Sequence, residues 1–175
     1  MKVLVTGASK HGNTREIANG IAEELRAAGL DADLREAGSV TSLDGYDAVV
    51  LGSAIYMGSW LPEAKHLVER FQPQLVALPV WLFSSGPLGA DEPQPAGDPG
   101  QIPGLMEQTQ ARGHRVFTGK LDRAELGFGE RLITTMVHAP DGDFRDWEAI
   151  RGWADDVAVE LKAMSKVRQA ARQQV

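Results

Sequence analysis

Cysteine is absent from the 175 residues, which excludes disulfides, thiolate zinc sites and cysteine nucleophiles. The four histidines, His11, His66, His114 and His138, show no spacing suited to a metal. No apolar run reaches the 18 residues of a membrane span and no secretory leader pattern is present, so a cytoplasmic protein is expected. An excess of basic residues is lacking too. Lys and Arg number 18 against 24 Asp and Glu, a net charge of -6, which argues against nucleic acid as the main partner. Acids are missing from the end of the chain, where Lys162, Lys166, Arg168 and Arg172 follow the last acid, Glu160. Such a tail can touch anionic lipid at the inner face of the cell membrane, with a solvated helix end as the competing reading.

With 43% hydrophobic residues the chain can bury one good core and is too short for two ordinary domains. Apolar runs alternate with helical patterns along it. Lys2–Thr6 reads as a strand buried on both faces, and Ala18, Ile21, Ala22 and Leu25 recur at helical spacing up to Gly29. Further strands are predicted at 31–36, 46–54 ("YDAVVLGSA"), 79–85 ("PVWLFSS") and 115–119 ("RVFTG"). Pro62 announces a helix carried by Ala64, Leu67, Val68 and Phe71. "QIPGLMEQTQARG" supplies another, and the last starts near Asp146 and runs through Ile150, Trp153, Val157 and Leu161. Strands separated by helices imply an α/β fold, a parallel sheet covered on both faces.

Sheets of this kind bind ligands at the carboxyl ends of their strands, near the point where strand order reverses. The loops after the first, third and fourth strands are therefore the ones to inspect. "TGASKHGNT" offers the hydroxyls of Thr6, Ser9 and Thr14, the amide of Asn13 and a flexible Gly12 at the start of a helix. Exposed N–H groups and the positive end of the helix dipole suit a phosphate there. The nucleoside triphosphate spacing fails, because Asn13 rather than lysine follows Gly12, and the dinucleotide pattern G-x-G-x-x-G is absent. What remains, [ST]-x-x-G-x-T, can surround one terminal phosphate, which favours a mononucleotide; a helix cap without a ligand is the alternative.

"SKHGNTREIA" resembles the phosphate loop of the flavodoxin-like family through Ser9, Gly12, Thr14 and Ala18, with Gly7 where an aromatic residue often stands. The resemblance implies a flavodoxin-like doubly wound sheet of five parallel strands in the order 2-1-3-4-5, helices on both faces, and FMN as cofactor. It assigns the phosphate to Ser9, Lys10, His11, Gly12, Asn13 and Thr14. After the third strand, Ala54, Ile55, Tyr56, Met57 and Gly58 would border the isoalloxazine. Tyr56, Met57 and Trp60 can offer a flat apolar face, and the small Gly52, Ser53, Ala54 and Gly58 allow close approach of the backbone. Packing of Tyr56 and Trp60 on the following helix is the competing reading. After the fourth strand, the stretch Ser84, Ser85, Gly86, Pro87 and Leu88 would form the other wall, its first three residues as donors and Leu88 as apolar cover. The FMN-binding domain is expected over residues 1–163, with 164–175 as a basic tail or helix extension.

Two segments exceed what a plain electron carrier needs. Residues 86–104 form a loop rich in proline and glycine, either a variable surface loop or a lid over the flavin edge. After the fifth strand an insertion, residues 120–146, places Leu126, Phe128, Leu132, Ile133, Met136 and Val137 on one stripe, readable as core packing or as a wall facing substrate, partner or membrane. "GSAIYMGSWLPEA", "FTGKLDRAELGFGERLI" and "APDGDFRDWEAI" together resemble the menaquinone-dependent protoporphyrinogen IX dehydrogenase group of the flavodoxin superfamily. That resemblance implies oxidation of protoporphyrinogen IX in haem synthesis with a respiratory quinone as acceptor. The alternative is an electron-transfer protein with protein redox partners. No acid–base or nucleophilic constellation stands out; His138 can relay protons or be a surface residue, and no catalytic side chain is assigned. Flavin chemistry is compatible with this, since the cofactor accepts the electrons and the protein orients and tunes it.

Overall fold

A computed structural model of the chain describes residues 1–56, 58–86, 100–121 and 142–173. The strands β1 (Lys2–Ala8), β2 (Asp31–Glu36), β3 (Ala48–Tyr56), β5 (Val80–Ser85) and β6 (Gly113–Phe117) form a parallel sheet in the order β2-β1-β3-β5-β6. The five predicted strands thus stand in the predicted order. A two-residue strand, β4 (Ser59–Trp60), folds back antiparallel on the end of β3, pairing Ile55 with Trp60 and Tyr56 with Ser59. The helices are α1 (Asn13–Ala27), α2 (Pro62–Ala77), α3 (Ile102–Thr109) and α4 (Trp147–Gln173), and a short antiparallel pair, β7 (Lys120–Leu121) with β8 (Gly142–Asp143), precedes α4.

Alternation along the strands sends successive side chains to opposite faces, and both faces are covered. Val3, Val5 and Phe83 pack with Ile17 and Ile21 of α1 and with Ile150, Val157 and Leu161 of α4. Leu4, Leu51 and Leu82 pack with Leu67, Val68 and Phe71 of α2 and with Ile102 and Leu105 of α3. The sheet is therefore the middle layer of three, which is why its inner strands β1, β3 and β5 read as apolar runs, while the edge strands β2 and β6 are partly exposed.

Strand ends differ from the sequence pattern by a residue or two. β1 runs on through Gly7 and Ala8, which stay paired with Gly52 and Ser53 of β3, and β3 reaches Tyr56 because β4 gives its end a partner. β6 begins at Gly113, opposite Trp81, and ends at Phe117. Pro62 occupies the first turn of α2 as expected, while Pro73 inside it accompanies a break at Phe71 (φ -112°, ψ 15°). At the head of α4, Asp146 accepts the N–H of Ala149 with its side chain (2.9 Å) and that of Ile150 with its carbonyl (3.0 Å). α4 carries the cationic stretch, with Lys166, Val167 and Arg168 exposed. Among the described residues, no helix is long and apolar enough to cross a membrane.

At the β2 edge the Tyr46 hydroxyl donates to Asp33 at 2.5 Å, and Arg35 donates to the same oxygen at 3.0 Å. The Tyr46 hydrogen bond is the main cause of a lowered Asp33 pKa, while burial pushes Tyr46 up. A depressed carboxylate stabilises the fold above its unfolded pKa, and that stability is lost as pH falls through the folded value. Tyr46→Phe is accordingly expected to cost about 1 kcal/mol at neutral pH. The difference from wild type should shrink below the unfolded Asp range, as urea melts at several pH values would register.

Candidate functional site

The reversal of strand order lies between β1 and β3, where one chain connection leads to the β2 edge and the next to the β5 edge. The loop from β1 to α1 ends at Gly12, whose φ of +82° places it in the left-handed region just before the helix. Its carbonyl accepts the Glu16 N–H at 3.0 Å, and no side chain caps the helix, so the first N–H groups of α1 face the carboxyl end of the sheet. Thr14 is 1% exposed, and its Oγ1 has no hydrogen-bond partner. Among the described residues Thr6, fully buried within β1, carries the other such hydroxyl. A buried hydroxyl without a partner is costly unless something else binds it. Thr6 lies in the strand that leads into the loop singled out for a phosphate, and Thr14 in the first turn of the helix that leaves it.

The β3–β4 hairpin is the second component. Gly58 takes a φ of +74°, which its two-residue turn requires. Tyr56 is half-buried, and the Lys10 ammonium lies 4.0 Å from its ring centroid, joining the first loop to the second. The third component is the end of β5. Gly86 (φ +114°) donates its N–H to the Phe117 carbonyl at 3.1 Å, and a Cβ added to it would lie 3.6 Å from the Ile55 carbonyl oxygen. A Cβ on Gly119 would lie 3.6 Å from Gly86. Ile55, Gly86 and Gly119 therefore meet at one place on the carboxyl edge.

Beneath these loops the side chains are locked. Ser53 Oγ accepts the Leu61 N–H at 2.9 Å. Trp60 Nε1 donates to Ser84 Oγ at 2.8 Å, and the same hydroxyl shares a hydrogen bond with His114 Nε2 at 2.8 Å. Trp60 is only 1% exposed. It does not face the cleft, because its ring fills the α2 side of the core and its one polar atom is used by Ser84. Gly52 also has a different reason for being small. A Cβ there would stand 2.0 Å from the Phe83 ring, so it is a core side chain on the neighbouring strand that excludes one.

Beside the first loop, Arg145 holds the β8–α4 junction to α1. Its side chain, 5% exposed, binds Asp143 twice (2.8 and 2.5 Å) and Glu16 of α1 at 2.5 Å, and stacks 4.8 Å from the Trp147 ring centroid. Nothing local in the sequence announces this clamp.

The structure thus brings Ser9, Lys10, His11, Gly12, Asn13 and Thr14 to the carboxyl edge together with Ala54, Ile55, Tyr56, Gly58, Ser85 and Gly86. Ser84 is fully buried, its hydroxyl engaged by Trp60 and His114. Met57, Pro87 and Leu88 lie outside the described residues. So do most of the proline-rich loop and the apolar stripe from Leu126 to Val137 with His138. Among the described residues no group of three or more acidic or histidine side chains is placed to hold a metal.

A five-stranded doubly wound sheet with a phosphate-suited loop at its switch point defines a mononucleotide-binding α/β protein. Residues 4–147 match the family model described as Flavodoxin domain, and the chain belongs to that family. Protoporphyrinogen IX dehydrogenase [quinone] of Escherichia coli is 26% identical over 174 aligned residues, which cover 90% of this chain and 95% of that protein. Among solved structures, a flavodoxin variant from Pseudomonas aeruginosa aligns at 20% identity with a TM-score of 0.60, over 93% of this chain and 99% of that one. Rubredoxin oxygen:oxidoreductase from Desulfovibrio gigas aligns at 16% identity and a TM-score of 0.62, over 93% of this chain and 36% of that one. The structural likenesses bear on the fold. Family membership makes FMN the cofactor and the chain a flavoprotein of the oxidoreductase and electron-transfer class. The residues present fit that group, since the unpartnered Thr14 hydroxyl stands in the first turn of α1, a helix without a side-chain cap, and a helix N-terminus with such a hydroxyl is a donor set a phosphate monoester needs.

Proposed function

We propose that this flavoprotein oxidises a porphyrinogen, protoporphyrinogen IX or a close analogue, and delivers the electrons to a quinone. The observation that carries the reading is the similarity to the Escherichia coli dehydrogenase, which extends over nine-tenths of both chains and so is not confined to a phosphate loop. In this reading Ser9, Lys10, His11, Gly12, Asn13 and Thr14 form the phosphate end of the site. The hydroxyls and N–H groups there, with the dipole of α1, neutralise the phosphate. Tyr56 and the backbone of Ala54, Ile55 and Gly58 border the ring on one side, with Ser85 and Gly86 on the other. Bound FMN supplies the redox chemistry, taking two electrons from one partner and giving them to the next. The protein's share is to hold the ring edge open to a flat substrate and to set the charge around it. A lipid-dissolved quinone also gives the cationic end of α4 a role, as a contact with the inner face of the cell membrane.

The rival reading is an electron carrier with protein partners, favoured by the net charge of -6, which suits docking to basic redox proteins. Anaerobic stopped-flow mixing separates the two. Protoporphyrinogen IX should bleach the oxidised flavin, and a menaquinone analogue should restore its colour. Inertness toward both, with rapid transfer from the reduced protein to an oxidised carrier protein, overturns the dehydrogenase reading.

A further inference from the structure

Two cations beside the first loop are matched by acids, Arg15 by Glu36 at 3.0 Å, and Arg145 by Asp143 and Glu16 at 2.5 Å each. Lys65, near the head of α2, is not. Half-buried, it donates to Ser59 Oγ at 3.2 Å, and among the described residues no carboxylate pairs with it. Glu63, on the same turn, is directed to Gly38, where an added Cβ would lie 3.7 Å from its Cγ. Ser59 stands opposite Tyr56 in the β3–β4 hairpin. Its hydroxyl also lies 3.3 Å from the Trp60 carbonyl oxygen and 3.4 Å from Oε1 of Gln101, the residue just ahead of α3, and shares its proton between them. The Gln101 side-chain oxygen is thereby engaged, whereas its NH2 group has no partner among the described residues. An ammonium and an amide, both donors without an acid, thus converge on Ser59 at the hairpin that borders the proposed ring site.

We propose that Lys65 and Gln101 form a carboxylate-binding subsite for an acid arm of the substrate, seated on Ser59 at the rim of the ring site. This rests on the substrate reading given above and names the part of that substrate which is recognised. A porphyrinogen of the protoporphyrin series carries propionate arms, whereas a quinone carries no carboxylate, so such a subsite sorts the electron donor from the acceptor. Lys65 supplies the charge and spare N–H donors, Gln101 a neutral donor, and Ser59 fixes the position of the ammonium. In a protein of net charge -6, which repels an anionic donor at long range, a local cation is what seats it.

The test compares binding of protoporphyrin IX, followed by its own emission, with binding of its dimethyl ester, the same ring without the acids, to the FMN-loaded protein. Lys65→Met keeps length and helix propensity and removes the charge, and Lys65→Arg keeps the charge. Lys65→Met should weaken the diacid about tenfold and leave the ester unchanged, and Lys65→Arg should recover most of the loss. Gln101→Glu, which gives Lys65 an acid partner and repels the acid of the ligand, should likewise weaken the diacid alone. In turnover the loss in Lys65→Met should fall on KM for protoporphyrinogen IX rather than on kcat. Equal losses for diacid and ester overturn the proposal and make Lys65 a brace between hairpin and α2, as does a diacid affinity unchanged in both Lys65→Met and Gln101→Glu. Failure of the substrate reading shows separately. A flavin that protoporphyrinogen IX does not bleach refutes the dehydrogenase, while a Lys65-dependent preference for the diacid over the ester still supports the carboxylate subsite.

Discussion

Thr14→Val is expected to act in opposite directions on the FMN-free and the FMN-loaded protein. The hydroxyl is buried and makes no hydrogen bond within the chain, so exchanging it for a methyl group of similar shape removes an unsatisfied polar atom. The FMN-free protein should keep its Tm or gain in it, by up to the roughly 1–3 kcal/mol that such an atom costs. Affinity for FMN should fall about ten- to a hundredfold, because a hydrogen bond to a charged phosphate contributes roughly 1.5–3 kcal/mol. Calorimetric melting of the stripped protein and fluorescence titration with FMN provide the two readouts. A lower Tm with unchanged affinity would mean that the phosphate sits elsewhere and that Thr14 is only a packing residue.

The first loop was legible in the sequence because everything that defines it is local. A strand, a run of small and hydroxyl residues, a glycine and a helix follow one another within Lys2 to Ala27, and no distant partner is needed to make the helix head available. A parallel sheet covered on both faces was legible for a related reason, in strand patterns separated by helical ones, whereas the strand order came from the resemblance of the first loop to the flavodoxin-like family. Trp60 is the opposite case. It stands among small residues next to a turn and reads equally well as a surface ring, yet its burial is decided by Ser84, 24 positions away, and by His114, 30 beyond that. β4 itself, two residues long, has no periodicity to detect. Arg145 is harder still, since its partner Glu16 is 129 positions distant and the Asp143 beside it suggests only a local pair. Side-chain roles that depend on which strand lies next door cannot be read from the strand that carries them.

Gly52 shows the cost of that limit most clearly and supports the second large effect. A glycine at the end of a strand, ahead of a presumed ligand loop, invites the reading that backbone and flavin come close. The structure gives a competing cause, and the two predict different failures. A Cβ at Gly52 would stand 2.0 Å from Phe83 Cζ and 2.3 Å from both Cε atoms, far inside any tolerated contact. The ring has little freedom to yield. Phe83 is fully buried, with the Phe117 ring 6.1 Å and the Trp153 ring 6.2 Å from it, centroid to centroid. Gly52→Ala should therefore destabilise the fold by about 3 kcal/mol or more, at the upper end for overpacking, and lower Tm by roughly 6–12 °C. Phe83→Leu removes the obstructing ring at its own cost of lost packing. The double substitution should then be less destabilised than the two single effects added together, because the clash exists only when both side chains are present. Had Gly52 served mainly to let the flavin approach, Gly52→Ala would melt normally, lose FMN affinity, and gain nothing from Phe83→Leu. Melting curves of the FMN-free proteins, where the ligand cannot contribute, decide between the two.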